Sequence, residues 1–314
     1  MGMNRTTLTK ITEYRGRATT WIHVGHADMA NIRALNKKFP MHEHDLRELL
    51  PALQHSKCIV RPGYAFLVFI FPLRDQETGG VKETELDVFL TANTLVTVNH
   101  GNRLSDLTAL SDEMTSAVKR ELILSQDPAD VFLSLLDRIY RSIFPLLVQL
   151  SHDVRLVENA LFEESGREET IRKVLFLKNS NARARKALQG HKYALTELRA
   201  GLSALNLPVP NHFNHLVSET IDIWNTLESQ RESIDTLHET NETLLTFRTN
   251  KVMKTLTIFT SILLPLSLLN GIVIIDAPIM TDFMHSPLGF PAVLTTMFVM
   301  TLGMLALFRA KRWM

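Results

Sequence analysis

The sequence predicts a membrane protein of the α+β class, in which a soluble amino-terminal domain is followed by a helical stalk and two transmembrane helices. Two uncharged stretches of about 21 residues each, 255–275 and 288–308, are long enough to cross a bilayer. Strand-like apolar runs lie in the first hundred residues, and helical spacing of apolar residues begins near residue 127. We therefore divide the chain into residues 1–126, 127–250 and 251–314, with spans at about 252–275 and 288–308.

The composition bears on the partners and on the compartment of the protein. The 314 residues carry a formal net charge of +1 and a single cysteine, Cys58. A charge balance this even gives no reason to expect a nucleic-acid partner. A lone cysteine cannot form an intramolecular disulfide, which fits a cytoplasmic main body.

The amino-terminal domain is predicted to mix strands and helices. Clusters of β-branched and aromatic residues predict strands at residues 21–24, 65–71, 86–90 and 95–98. Helical spacing indicates helices at 28–35 and 44–53. The domain contains no phosphate-binding glycine loop, nucleophile elbow or zinc-protease motif, so we expect no enzyme activity.

The stalk is predicted to contain three long helices. Asp127 followed by Pro128 is a favourable helix start, and the acidic run 163–169 is expected to turn the chain into a second helix that ends near residue 205. A third helix begins near Asn211 and meets no proline or glycine before Pro265. It is predicted to continue into the first span for some 60 residues, roughly 90–100 Å. Its apolar stripe favours packing against copies of itself in a homo-oligomer.

The two spans form a predicted hairpin in the lipid bilayer. Basic residues flank its outer ends, with Lys251 and Lys254 before the first span and Lys311 and Arg312 after the second, whereas the loop 276–287 has no lysine or arginine. By the positive-inside rule, both termini are expected in the cytoplasm and the loop outside.

One face of the first span mixes hydroxyl-bearing, small and apolar residues. Steps of three and four residues from Asn250 reach Met253, Leu256, Thr260, Leu264, Ser267 and Gly271. Such a face suits the wall of a narrow pore, where hydroxyls meet hydrated ions and apolar side chains form constrictions. The alternative is that the small residues only allow helices to pack closely.

The chain resembles the CorA and ZntB family of divalent-cation transporters. Residues 250–258, Asn-Lys-Val-Met-Lys-Thr-Leu-Thr-Ile, follow the family's pore-helix pattern, as do Pro265-Leu266-Ser267 and Gly271-Ile272. Weaker matches lie at residues 132–137 with Phe144-Pro145, at residues 89–98, and at Lys311-Arg312-Trp313. The resemblance covers nearly the whole chain.

The resemblance implies a homopentamer with an α/β/α cytoplasmic funnel and a pore made by five copies of the first span. It assigns pore-facing positions to Asn250, Met253, Leu256, Leu264, Ser267 and Gly271. It also implies that divalent cations such as Mg²⁺ or Zn²⁺ are transported or regulatory ions, with no resident cofactor, and that the protein lies in the inner membrane.

The sequence departs from the family at the outer entrance. Where the family has Gly-Met-Asn, this chain has Ile274-Ile275-Asp276. One interpretation is that Asp276 replaces the asparagine, so that copies of the chain form a carboxylate ring that attracts and binds cations. The other is that the helix ends before Pro278 and Asp276 is an interfacial charge.

A second departure concerns regulation. His215 stands where magnesium channels of the family can carry a regulatory acidic residue. Imidazole is a poor magnesium ligand but a good zinc ligand, and His212 lies three residues away, so the pair is a candidate zinc site.

The sequence therefore predicts transport of divalent metal cations through a homo-oligomeric pore. Two alternatives stay open. In the first, the chain is a membrane scaffold or sensor that has kept the family architecture but does not conduct ions. In the second, it is a proton-coupled zinc transporter of the ZntB kind.

Overall fold

The computed structural model describes residues 11–50, 55–100, 104–162, 167–274 and 288–311. The chain divides into two compact units, one up to His238 and one from Glu239 onward.

A six-stranded sheet forms the centre of the first unit. Its strands are β1 (Ile11–Arg15), β2 (Thr20–Val24), β3 (Lys57–Arg61), β4 (Tyr64–Arg74), β5 (Val81–Leu90) and β6 (Thr94–Asn99). The order across the sheet is β1-β2-β6-β5-β4-β3, with β2 and β6 parallel and the other neighbours antiparallel. The four predicted strands are confirmed as β2, β4, β5 and β6.

The two strands that the sequence did not predict, β1 and β3, are the edges of the sheet. Their residues are mostly half-buried and mix charged with apolar side chains, whereas β6 is buried throughout. An edge strand buries less surface, so its apolar pattern is weaker.

One face of the sheet is covered by two short helices, α1 (Met29–Lys38) and α2 (Glu43–Glu48). Ile32 and Leu35 of α1 pack into a cluster with strand residues such as Phe66 and Phe89. The predicted helix at 28–35 is confirmed, and Asp28 caps it by accepting a hydrogen bond from the Asn31 amide at 2.7 Å. The helix predicted at 44–53 ends earlier, at Glu48, and residues 51–54 lie outside the described residues.

The other helices lie on the opposite side of the sheet, and the unit therefore has three layers, α/β/α. They are α3 (Ser105–Glu113), α4 (Ala117–Leu124), α5 (Pro128–Phe162), α6 (Arg167–Leu188), α7 (His191–Gly201) and α8 (Phe213–Ile274), with a 3₁₀ turn at Leu202–Leu205. Leu67, Phe69 and Phe71 of β4 meet Phe132 and Leu198 in this core. The predicted start of α5 at Asp127-Pro128 and the unbroken third helix are confirmed.

Buried amides tie the amino-terminal part of α8 to α5 and α6. The Gln230 side chain donates to the Leu147 carbonyl at 2.9 Å and to the Ser151 hydroxyl at 2.6 Å. Asn181 of α6 donates to the Leu227 carbonyl at 3.1 Å. Because these groups are buried, the helix register that pairs them is strongly preferred over any register that leaves them unsatisfied.

The single helix predicted over residues 170–205 is wrong, because it is interrupted at Gly190. Helix α6 ends at Leu188 and α7 begins at His191. Gly190 has φ of +89°, which side-chain-bearing residues rarely adopt, and a Cβ there would lie 2.8 Å from the Ser56 carbonyl oxygen. The apolar spacing continues across the break, so periodicity alone did not reveal it.

The residue after the break, His191, is a polar group inside the apolar core. Its Nε2 lies 2.8 Å from the Ile70 carbonyl oxygen, which can only accept, so Nε2 carries the proton. Its Nδ1 then accepts from the Tyr140 hydroxyl at 2.8 Å. Burial lowers the pKa of His191 to about 4.

The second unit contains the remainder of α8 and helix α9 (Gly289–Ala310). Both α8 and α9 are long and apolar enough to cross a membrane.

We expect Gly190→Ala to lower the melting temperature of the detergent-solubilised full chain more than Gly63→Ala does. Both glycines have positive φ, +89° and +90°, so each alanine is strained by about 1–2 kcal/mol. Only at Gly190 does the new Cβ also meet backbone, whereas nothing lies within 4 Å of a Cβ at Gly63. Equal melting temperatures for the two variants would contradict the steric account.

We expect His191→Gln to weaken the dependence of stability on acid. The native pKa of His191, about 4, lies below the ordinary value of 6.5, so its stabilising contribution is complete above about pH 6.5 and is lost as the pH falls towards 4. The full loss is worth about 3 kcal/mol. Between about pH 7 and pH 4.5, the melting temperature of the wild type should therefore fall further than that of the variant.

The other buried titratable groups are present in both proteins, so their contributions cancel when the pH dependence of the two melting temperatures is compared. At neutral pH the variant should be less stable by about 1–3 kcal/mol, because one buried hydrogen bond is lost. Parallel pH profiles of melting temperature would show that His191 is not the neutral, buried group described.

Candidate functional site

The candidate site lies on the membrane-spanning part of α8. In the first unit, Leu216, Ile223 and Leu227 of this helix are buried in the core, but its apolar span is not buried within the single chain. Met253 is 59% exposed and Leu264 is 71% exposed. An apolar surface of this extent needs lipid or further protein around it.

Half-buried residues mark one face on each of the two spans. On α8 they are Ile258, Ser261, Ile262, Pro265, Leu266 and Leu269, and on α9 they are Val293, Met297, Met300, Thr301, Met304, Leu305 and Phe308. Both sets follow the three- and four-residue spacing of one helix face. Since the two spans belong to one compact unit, we infer that these faces shield each other.

The predicted pore face lies on the other side of α8. An α-helix turns by about 100° per residue, so the average direction of the side chains in the set that begins at Asn250 is roughly opposite that of the half-buried set. All seven of its members are exposed, namely Asn250, Met253, Leu256, Thr260, Leu264, Ser267 and Gly271. Neither α9 nor any other described part of the chain therefore covers this face.

Within the described residues, packing does not explain the glycine on this face. A Cβ built on Gly271 meets nothing within 4 Å among the described residues. Gly271 is compatible with close packing between copies of the chain. The alternative interpretation, in which small residues only allow helices to pack closely, therefore applies to contacts between subunits.

The hydroxyl of Thr260 presents an acceptor on this face. It donates to the Leu256 carbonyl of its own helix at 2.9 Å. With its proton directed at the backbone, the oxygen keeps its lone pairs for an outside donor. The water molecules of a hydrated cation are donors of that kind.

The predicted entrance is described only in part. Ile274 is the last residue of α8 and is 72% exposed. Ile275 and Asp276 lie outside the described residues. At the other end of the span, Lys251 and Lys254 directly follow Asn250 and Met253, and both are exposed.

The two histidines of the candidate zinc pair have different neighbours. His212 precedes α8 and its Nδ1 lies 3.9 Å from an Asp130 carboxylate oxygen. His215 is in α8 and its Nε2 lies 3.5 Å from a Glu219 oxygen. Neither belongs to the one group of three potential ligands found within the described ranges, which is Glu85, Asp87 and His100.

Sequence reasoning did not single out that group of three. His100 is 13 positions from Asp87 and 15 from Glu85, and it meets them only because β5 and β6 pair across a tight turn. The available signal was the presence of two acidic residues, Glu85 and Asp87, next to the apolar residues Leu86 and Val88 of the predicted strand.

Comparison with known proteins identifies the family. The family model described as CorA-like Mg²⁺ transporter protein matches residues 16–312. The cobalt/magnesium transport protein CorA of Thermotoga maritima is 24% identical over 315 residues, covering 98% of this chain and 88% of that protein.

Two solved structures share the fold. The complete structure of the CorA magnesium transporter from Methanocaldococcus jannaschii matches with a TM-score of 0.76 and 20% identity, covering 95% of this chain and 92% of that one. The full-length CmaX protein matches with a TM-score of 0.71 and 17% identity, covering 100% and 93%. Since the family model spans nearly all of the sequence and full-length structures share its fold, the chain belongs to the family of CorA-like Mg²⁺ transporter proteins.

Proposed function

We propose that this protein transports divalent metal cations across the membrane through a pore lined by the exposed face of α8. One observation carries the proposal. The face that combines Thr260 and Ser267 with apolar residues lies opposite the half-buried side of the helix and is exposed in the single chain. A surface of that composition suits contact with hydrated ions better than contact with lipid.

Such a pore needs several copies of the chain. One helix face cannot enclose a pathway, and each chain contributes only two candidate spans among its described residues. A symmetric ring of α8 helices would place the same face of every copy at the axis. The number of copies in our proposal is five, which comes from the family resemblance.

Along the proposed pathway, polar and apolar positions alternate. Thr260 and Ser267 offer oxygen atoms to the water around an ion, and Met253, Leu256 and Leu264 form constrictions that close by excluding water. Mg²⁺ gives up its water reluctantly, so it would pass these positions in hydrated form. At the outer mouth, we propose that Asp276 of each copy forms a carboxylate ring.

The basic residues at the outer ends of the two spans support an orientation. Lys254 before the first span and Arg309 after the second favour the cytoplasmic side, which leaves both termini in the cytoplasm of an inner-membrane protein. No resident cofactor enters this proposal, because the cations are the transported or regulatory ions themselves.

The names of the relatives suggest which ions to test first. The Thermotoga maritima relative is named for cobalt and magnesium, and Zn²⁺ is added because of the ZntB alternative. Transport that requires a proton gradient would favour that alternative. An intact oligomer that passes no ion would favour the scaffold or sensor.

Cysteine substitution tests whether the proposed face lines a water-filled path. We expect a cationic thiol reagent to reduce cation flux through reconstituted Ser267→Cys by about tenfold, because a pore-lining thiol is hydrated and ionises. The same change at Ser261, on the half-buried face of the same helix, should leave flux almost unchanged. Flux through fluorescent-dye-loaded liposomes is the measurement.

The wild type is a suitable background for this experiment. Its single cysteine is Cys58, whose pKa is raised to about 12 by burial and by the nearby charge of Glu197. A thiol that does not ionise near neutral pH reacts slowly. Equal inhibition of the two serine variants, or inhibition of Ser261→Cys alone, would contradict the proposed face.

A second substitution tests the entrance. We expect Asp276→Asn to slow cation uptake and to change the order of preference among Mg²⁺, Co²⁺ and Zn²⁺, because it removes one negative charge from every copy at the mouth. Asp282→Asn, in the same loop, is the matched control and should have a smaller effect. Unchanged rate and ion preference in Asp276→Asn would refute the carboxylate ring.

A further inference from the structure

Three potential metal ligands come together inside the sheet of the first unit. Glu85 and Asp87 are two residues apart on β5, so their side chains lie on the same face of the strand. Phe89, the next residue on that face, packs in the core beneath α1. His100 directly follows β6, the neighbouring strand, and its side chain reaches the same group.

The three side chains are within reach of a single ion. Nε2 of His100 lies 2.8 Å from Oδ2 of Asp87 and 3.5 Å from Oε1 of Glu85. One ligand atom from each residue lies within 4.8 Å of the other two. Donors bound at about 2.0–2.2 Å in a tetrahedral site are separated by roughly 3.2–3.6 Å, which the Nε2–Oε1 distance matches, whereas Nε2 and Oδ2 would move apart as the proton between them leaves.

The cluster is buried and rich in negative groups. Both carboxylates have no exposed surface, and the side chain of His100 is 11% exposed. Within the described residues, Oδ1 of Asp87 accepts no hydrogen bond. A buried carboxylate oxygen without a partner is costly, and a bound cation would satisfy it.

The three groups change one another's affinity for protons. Burial, together with the charge of Glu85, raises the pKa of Asp87 to about 7. Burial alone would lower the pKa of His100, but its hydrogen bond to Asp87 and the two carboxylate charges raise it instead. A cation bound here would therefore compete with protons.

We propose that Glu85, Asp87 and His100 form a binding site for one divalent transition-metal ion of the Zn²⁺ or Co²⁺ kind. An imidazole nitrogen with two carboxylates is a donor set that these ions accept, whereas Mg²⁺ prefers oxygen ligands alone. On binding, the proton between Nε2 of His100 and Oδ2 of Asp87 is released, and both atoms become ligands. The site is separate from the pore and does not depend on the proposed transport.

Bound zinc, counted per chain, tests the proposal. The detergent-solubilised full chain is stripped with a chelator, given Zn²⁺, freed of excess metal by gel filtration and analysed by mass spectrometry for metal. We expect the wild type to retain about one zinc ion per chain more than Asp87→Asn or His100→Gln. Because the test is a difference, zinc held elsewhere in the chain does not affect it.

Two control variants are matched to these substitutions. Asp45 is also fully buried on this side of the sheet, where it pairs with Arg61, so Asp45→Asn should keep the zinc. His44→Gln removes a histidine outside the cluster and should also keep it. Zinc retained equally by Asp87→Asn and the wild type, or lost equally from Asp45→Asn, would overturn the proposal.

The second cluster variant protects the test against misfolding. If Asp87→Asn does not fold, His100→Gln decides the question, since its side chain lies closer to the surface. The expected signature is a rise in wild-type melting temperature on adding Zn²⁺ that is absent from His100→Gln. An equal rise in both proteins would contradict the site.

Discussion

Helix α8 has to satisfy its backbone hydrogen bonds within itself, although its surroundings change along its length. The rest of the structure depends on this requirement. A helix satisfies every interior N–H and C=O internally, and it is therefore the form in which one chain can leave a protein core and enter a bilayer. The 62 residues of Phe213–Ile274 extend over about 93 Å. Both parts of the helix have the same period of 3.6 residues per turn, but the side chains of each part meet different surroundings.

In its first part, α8 is fixed by burial. Its apolar residues join the core that covers one face of the sheet, and Gln230 and Asn181 tie it to α5 and α6 through buried hydrogen bonds. In its second part, the described residues leave the apolar surface exposed except on its half-buried side. The exposed side carries the mixture of hydroxyl-bearing and apolar residues that we propose lines the ion pathway.

The parts of the fold that the sequence predicts are those with a strong pattern of apolar residues. Strands β2, β4, β5 and β6 are largely buried on both faces because helices cover the sheet on both sides, so they contain runs of β-branched and aromatic residues, and α5 and α8 carry long apolar stripes. The edge strands β1 and β3 bury too little surface to be recognised. The break at Gly190 depends on a contact with Ser56, more than 130 positions away, which no local pattern contains.

The same distinction applies to the two candidate sites. The face that begins at Asn250 can be predicted because all of its members lie on one helix, where spacing fixes direction. The group of Glu85, Asp87 and His100 depends on how β5 and β6 are paired, with Asp87 opposite Val98, and a shift of one residue would turn the side chains to the other face. Local spacing cannot supply that register.

Cation flux into liposomes that contain the purified, intact oligomer tests the central claim most directly. A dye sensitive to divalent cations reports entry when Mg²⁺, Co²⁺, Ni²⁺ or Zn²⁺ is added separately, with protein-free liposomes beside them. Our account predicts flux well above that of the protein-free liposomes for at least one of these ions. No flux for any of them would contradict the claim that α8 lines a conducting pore.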